Sequence, residues 1–496
     1  MLQLSARARH GCGSCFFPSA AAVLAAALFL PPALAQGAGQ GAVRPVDESA
    51  LAAMQVQQLA ERLVQHLNGS LRLIDEPGLR MPLAQVAPLV AQAARQHPEA
   101  RLVGSQLLRS EQSRKEAYAG FLPQVSASVD SGTRQYDAQV YPWSNLPARD
   151  QKSLGFGLTV RQLLYDFGQT SSRVGAQEAS REAIAHRQAL RHSELSLRAL
   201  EAWNQVFRAQ QVLVLHAMNV VARKQIRSFV EEREQLGGSS RSDVLRVEAR
   251  IAEAETGLVA AENQLRAAEA AYVEIFTQKP PPAVPLLQLP TLRREQFSNL
   301  DALLDGNRLM RELRALGRQY ELEAAAATGA MFPRLTLEVS RNRRDLYSGG
   351  TPGTDSSWAI VANHNLYAGG ADEARQRQAQ LRSQESLLEL DVRRRQLEKL
   401  LSELLAELDN GDAAIKARRD GVLGAMRALE VVREQFFFRR GALFDLLKAQ
   451  EDLFLAGREL VVGLVDHVGA RFRLLHVSGE LDALMGLSPG STPGQP

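Results

Sequence analysis

Beyond its first fifteen residues the 496-residue chain has no cysteine: its two are Cys12 and Cys15. Both precede the short apolar run Ala20 to Leu30, which follows basic Arg7, Arg9 and His10 and leads to Ala33-Leu34-Ala35. That order reads as a secretory leader over 1–35, with Gln36 opening the mature chain. Without these two cysteines the mature chain has no disulfide, thiolate metal site, cysteine nucleophile or acylated cysteine behind the apolar run. Aromatics are only 6% of residues, so the core must be aliphatic. Lys plus Arg (58) nearly balance Asp plus Glu (55), which gives no argument for a nucleic-acid partner. After residue 35 no apolar run reaches the roughly 20 residues that a membrane helix needs. Any part within a membrane must then be a closed β-barrel.

Signals for chemistry are missing as well. The nine histidines are scattered, with no His-Glu-x-x-His pair, and no glycine-rich phosphate loop occurs. The expectation is a non-enzyme with no cofactor, no metal and no energy source of its own. Asp409-Asn410-Gly411-Asp412 lacks the length and terminal Glu of a calcium loop, and reads as a bend or polar break in a helix. His364 reads as a rim or lumen residue of a strand.

What the chain has is helix of unusual length. Gln169 to Leu236 and Ala371 to Arg440 contain no proline. Each stretch would form a helix of ~100 Å at 1.5 Å per residue. Leu397, Leu400/Leu401, Leu404/Leu405 and Leu408 form an apolar seam at 3-4 spacing, and Leu190, Leu197, Leu200, Trp203 and Phe207 form another. Helical patterns at 83–119 with 241–277, and at 300–329 with 441–478, supply pairs of shorter helices that match a long one in summed length.

The two halves echo each other. Phe121-Leu122-Pro123 and Met331-Phe332-Pro333 each open an alternating run; Leu164-Tyr165 and Leu366-Tyr367 each close one before a glycine. Tyr165 to Asp243 is 78 residues, as is Tyr367 to Asp445, whereas Pro123 to Tyr165 is 42 and Pro333 to Tyr367 is 34. Strand period is clear in Leu154, Phe156, Leu158 and Val160, in Leu335, Leu337 and Val339, and in Val125, Ala127 and Val129. The predicted strands are 121–134, 153–166, 333–343 and 357–367, with connecting loops at about 135–152 and 344–356 that face outside. Period 2 fits a soluble half-buried sheet equally; the leader favours a barrel. The expected organisation is a leader (1–35), an N-terminal extension (36–81) with one short helix near Ser49 to Asn68, a first repeat (82–278), a Pro-rich connector (279–299), a second repeat (300–486) and a tail (487–496).

These features together resemble the TolC family of outer-membrane channel proteins across most of 82–486. The matching segments are Gln96-His97-Pro98, Gly120-Phe121-Leu122-Pro123, Asn365-Leu366-Tyr367-Ala368-Gly369-Gly370, Ser239-Ser240-Arg241-Ser242-Asp243-Val244-Leu245 and Gly441-Ala442-Leu443-Phe444-Asp445-Leu446-Leu447-Lys448-Ala449-Gln450-Glu451. The resemblance implies a mainly α fold with a membrane β-barrel. Three protomers, four strands each, would share a twelve-stranded barrel continued by a periplasmic α-helical tunnel. It also implies a homotrimer in outer-membrane lipid that works with a periplasmic adaptor and an inner-membrane ABC transporter or proton-driven pump. Four strands alone cannot close, since small membrane barrels need about eight.

By the same resemblance, Asp445 matches a constricting aspartate at the periplasmic aperture, and Lys448 stands where the family often has a second aspartate. Arg439 and Arg440 are read as tip cations that pair with a neighbouring helix, or else as an ordinary basic turn. Phe436-Phe437-Phe438 is either an adaptor contact or buried between tip helices. Gly237, Gly238, Ser239 and Ser240, with Gly441 at the second turn, are expected at the adaptor-docking tips, although a plain interhelical turn accounts for them. The tip at 443–451 and the ending Phe472-Arg473-Leu474-Leu475 resemble the type I protein-secretion branch; small-molecule efflux is the alternative. A periplasmic coiled-coil adaptor would explain the leader and helices but not two strand hairpins equally spaced from two helix tips.

Overall fold

A computed structural model describes residues 80–136, 139–141, 144–146, 149–344, 353–438 and 441–486. The expected leader, the helix near Ser49, the tail, and Arg439 and Arg440 lie outside these residues. In chain order the elements are β1 (Arg80–Pro82), α1 (Leu83–Gln96), α2 (Pro98–Tyr118), β2 (Gln124–Tyr136), β3 (Gln139–Tyr141), β4 (Ser144–Leu146), β5 (Arg149–Tyr165), α3 (Gln169–Gln235) and α4 (Arg241–Phe276). Then come β6 (Leu286–Gln288), α5 (Leu300–Gly306), α6 (Arg308–Gly329), β7 (Arg334–Arg344), β8 (Gly353–Asn363), α7 (Ala371–Phe437), α8 (Leu443–Ser478) and α9 (Leu481–Leu484).

The long helices α3 and α7 each have 67 residues, and α4 and α8 each have 36. Both long helices start from a glycine in the left-handed region, Gly168 (φ +85°) and Gly370 (φ +80°), a conformation that a Cβ would strain. The polar stretch Asp409–Asp412 does not break α7, contrary to expectation.

Where one helix is expected at 83–119, there are two. Proline disfavours the α region for the residue before it, so His97 is extended (ψ 139°) and Pro98 opens α2. His97 Nδ1 accepts from the Glu99 amide (3.3 Å), and Nε2 meets Glu274 Oε1 at 3.2 Å. The helix expected at 300–329 likewise breaks at Asn307. Its Oδ1 accepts from the Leu309 amide (2.9 Å), while Nδ2 donates to the Val477 carbonyl (2.8 Å).

Helix α3 packs on α2, α4, α6 and α8, and α7 lies between α6 and α8. Half-way along α3, Leu200, Trp203 and Phe207 share a core with Tyr272, Phe276, Leu287 and Phe472. The segment read as a connector is built into this core. Its β6 pairs in parallel with β1, and the Pro285 carbonyl accepts from Trp203 Nε1 at 2.9 Å. The second predicted seam holds too: Leu397, Leu401 and Leu404 are buried with Leu474 and Val477, although Leu400 is exposed.

The four principal strands form one antiparallel sheet in the order β2-β5-β7-β8. Its edges, β2 and β8, have no partner strand within the described residues. The last strand ends at Asn363, so His364, Leu366 and Tyr367 follow it instead of lying in it. The pair Arg334–Asn363 is the last of the ladder, because Pro333 before it has no N–H to donate. The first strand starts only at Gln124, after a 3-10 turn at Ala119–Phe121. The first hairpin has strands of 13 and 17 residues against 11 and 11 in the second, so part of the loop expected at about 135–152 is strand instead.

Candidate functional site

Register sorts the sheet into two unlike faces. Val125, Val160, Val339 and Trp358 stand in one row; Leu337 and Ile360 flank it on one side, and Ala127 and Leu158 on the other. The opposite face is polar. Arg161 Nε donates to Glu338 Oε1 at 2.7 Å, Ser340 and Ser357 hydroxyls meet at 2.8 Å, and Asn342 Nδ2 reaches Asp355 Oδ2 at 3.5 Å. Gly155 and Gly157 on this face are buried, while Phe156 and Leu158 on the apolar face are exposed. Side chains of Asp130, Ser128 and Asn342 crowd over these glycines, as they do on the concave side of a curved sheet. An apolar convex face and a hydrogen-bonded concave face are what a barrel wall with a watery lumen requires. Among the described residues no helix is long and apolar enough to cross a membrane.

Exposed aromatic side chains gather where sheet meets helices. Phe167 packs against Tyr165 (ring centroids 4.8 Å apart) and Phe332 (5.0 Å), and Tyr118 against Phe121 (5.9 Å). All five are exposed apart from these contacts.

The helices end far from the sheet in two turns. At the first, the Gly238 amide donates to the Arg233 carbonyl (2.8 Å) and Gly237 has φ +71°. Ser240 caps α4: its hydroxyl accepts from the Asp243 amide (3.3 Å), and Asp243 Oδ2 accepts from the Ser240 amide (3.2 Å), a reciprocal capping box. At the second turn Ala442 occupies the cap position and cannot do this. Asp445, the counterpart of Asp243, is left exposed in the first turn of α8. Lys448 is exposed as well, and the two do not pair with each other. Among the described residues no cation pairs with Asp445. Gly441 lies so close to the Phe436 backbone that a Cβ would stand 3.0 Å from its nitrogen.

The aromatic run divides between its two readings. Phe436 is buried, with its ring 5.7 Å from Phe229; Phe437 lies 4.6 Å from the same ring; Phe438 is exposed. Two arginines that sequence reasoning missed tie the helices together here. Arg233 of α3 sits 5.2 Å over the Phe436 ring and donates Nη1 to its carbonyl at 3.3 Å. Buried Arg223 donates to Asn219 Oδ1 (3.1 Å) and to the Arg250 carbonyl (2.9 Å), and is ion-paired with Glu451 of α8. Neither has a local sequence signal, because its partners lie up to some 228 residues away.

Residues 89–275 match the family model described as outer membrane efflux protein. The outer membrane efflux protein BepC of Brucella suis is 28% identical over 350 residues, covering 68% of this chain and 75% of BepC. The proteases secretion protein PrtF of Dickeya chrysanthemi is 24% identical over 360 residues, with the same two coverages. The fold matches the crystal structure of the Campylobacter jejuni CmeC outer membrane channel with a TM-score of 0.70 at 13% identity, over 79% of this chain and 85% of that one. The chain is thus similar to the outer membrane efflux proteins, the TolC family of outer-membrane channels. It resides in the outer membrane, with the sheet as its barrel part and the helices as its tunnel part. The aromatic cluster of Tyr165, Phe167 and Phe332 then marks the helix-side boundary of the apolar band.

Proposed function

We propose that three copies of this chain form one export channel-tunnel through the outer membrane, and that it serves as the outer component of a type I protein secretion system. The observation that carries the channel reading is the four-stranded sheet with two open edges, continuous with a helical layer ~100 Å long. An open edge in lipid leaves backbone groups unsatisfied, so the edges must meet those of other copies. Three copies give twelve strands, with α3 and α7 forming the tunnel wall. Passage is passive; an inner-membrane ABC transporter and a periplasmic adaptor supply energy and cargo.

Around a threefold axis the exposed Asp445 and Lys448 recur as a ring of both signs at the periplasmic aperture. The turns at Gly237, Gly238, Ser239 and Ser240 and at Gly441 are the surfaces offered to the adaptor. PrtF, a protein named for protease secretion, supports the secretion role. The greater identity of BepC, named as an efflux protein, favours a second reading in which small molecules are carried. Deleting the protein and measuring both outputs separates the two. Secretion predicts that particular proteins vanish from the medium while drug and dye tolerance stays the same; efflux predicts the reverse.

A further inference from the structure

From its helix end as far as the row of Phe156 and Arg343, the apolar convex face of the sheet carries two charges, and both are arginine. Arg341 and Arg343 stand on this face at the end of β7 away from the helices. Arg341 is in a row with Leu158 and Ser356; Arg343 is in a row with Phe156 and Thr354. Both side chains are exposed, and among the described residues neither has a hydrogen-bond or ion-pair partner. The contrast with the concave face is direct, since Arg161 there is paired with Glu338 at 2.7 Å. The nearest acidic residue of this face by register is Asp150, six residues beyond Phe156 on β5, with Lys152 between them.

A lone cation facing hydrocarbon is costly near the midplane and costs little at the boundary. Position decides between the two. Leu335 to Arg343 spans about 27 Å along the strand at 3.4 Å per residue, or about 21 Å across the membrane at a 40° tilt. Leu335 lies just beyond the aromatic cluster of Phe332 and Tyr165, so Arg343 comes near the far edge of an apolar band about 25 Å tall. Arg341 is one row deeper and reaches the same level by extending its side chain along the wall.

We propose that Arg341 and Arg343 form a binding site for the phosphate groups of the outer leaflet's phosphorylated glycolipid. The site rests on the barrel reading above and adds a ligand to its outer wall. Charge complementarity favours this occupant: two guanidiniums one row apart bind phosphate oxygens in fork geometry, and a neutral headgroup would leave both unmet. The two boundaries of the barrel are then chemically different, aromatic on the helix side and cationic on the outer side.

The test uses the detergent-extracted full-length oligomer and purified lipopolysaccharide, with its enzymatically dephosphorylated form as the second probe. Native mass spectrometry counts glycolipids bound per oligomer over a titration. The parent should bind the phosphorylated form at least about tenfold more tightly than the dephosphorylated one. R341Q/R343Q should lose that preference, R341K/R343K should keep most of it, and R161Q on the concave face should leave it as in the parent. Equal binding by the parent and R341Q/R343Q, or no effect of dephosphorylation on the parent, overturns the site. Quenching of Trp358 by brominated lipid, taken as the difference between the parent and W358F in vesicles, reports separately on the wall. Quenching with unchanged glycolipid binding in R341Q/R343Q rejects the site alone, whereas absence of quenching rejects the barrel facing itself.

Discussion

The imidazole of His467 on α8 fills the space that Gly411 of α7 leaves by having no side chain; a Cβ at 411 would run into the ring. The ring is held there by Asp412, whose Oδ1 lies 3.3 Å from Nε2. The polar stretch at 409–412 is thus a docking notch within a continuous helix. Gly411→Val should destabilise the protein by about 1–3 kcal/mol through overpacking. His467→Ala in the same chain should recover a good part of that loss, because the clash is shared between the two positions. Thermal unfolding of the four members of this cycle measures the coupling; strictly additive effects would contradict the contact.

Acid should loosen the packing at the end of α8. Burial holds His476 at about 4, and its Nδ1 meets the Ser193 hydroxyl at 2.9 Å. Arg308, ion-paired with Asp482 at 2.5 Å, opposes a further positive charge there. The unfolded chain takes up this proton near pH 6.5 and the folded chain only near 4, so stability is present above 6.5 and is lost as pH falls through that window. The loss is of order 3 kcal/mol. Burial lowers His192 too, with the same sign, whereas the Asp482 carboxyl is raised by burial and acts in the opposite direction. His476→Asn should flatten the slope of stability between pH 6.5 and 4, as read by circular dichroism melts at stepped pH.

Much of this architecture is legible in the residues. The proline-free stretches announce α3 and α7, and the period of 2 in Leu154 to Val160 gives the face that the register then places beside Val125 and Val339. What escapes is non-local. The β1–β6 pair joins Arg80 to Leu286, and no short-range pattern marks it. The break at Asn307 depends on the Val477 carbonyl accepting its amide, which only tertiary packing supplies. At the tip, the exposure of Asp445 follows from Ala442 replacing a capping residue, a comparison with Ser240 that the repeat makes available. Arg223 and Arg233 have no such counterpart in the pattern.

The link from Arg233 to Phe436 should govern how firmly the two tip turns hold together. Arg233→Ala removes one hydrogen bond to a carbonyl and one cation–ring contact, together about 1–2 kcal/mol. Amide exchange in 226–236 and 429–438 should then quicken by roughly tenfold while exchange around Trp203 stays unchanged. Equal protection in parent and variant would show that the packing of Phe229 on Phe437 suffices alone.

Ion selectivity tests the proposed aperture. Asp445→Asn removes three charges per trimer at nearly constant volume, so cation preference in planar bilayers should weaken, as should block by divalent ions added on the helix side. Lys448→Ala should act oppositely and deepen the preference for cations. Unchanged selectivity in both variants, with assembly intact, would place the constriction elsewhere along the tunnel.

The central claim is that β2 of one copy closes on β8 of the next until three copies complete the wall. Single cysteines placed along Gln124 to Asp130, each combined with Ser357→Cys, test this by oxidation in isolated outer membranes, with the parent and each single-cysteine chain as blanks. The account predicts that at least one pair gives a covalent ladder ending at three chains in denaturing gels. A ladder running past three, or monomer alone at every pair, would contradict it.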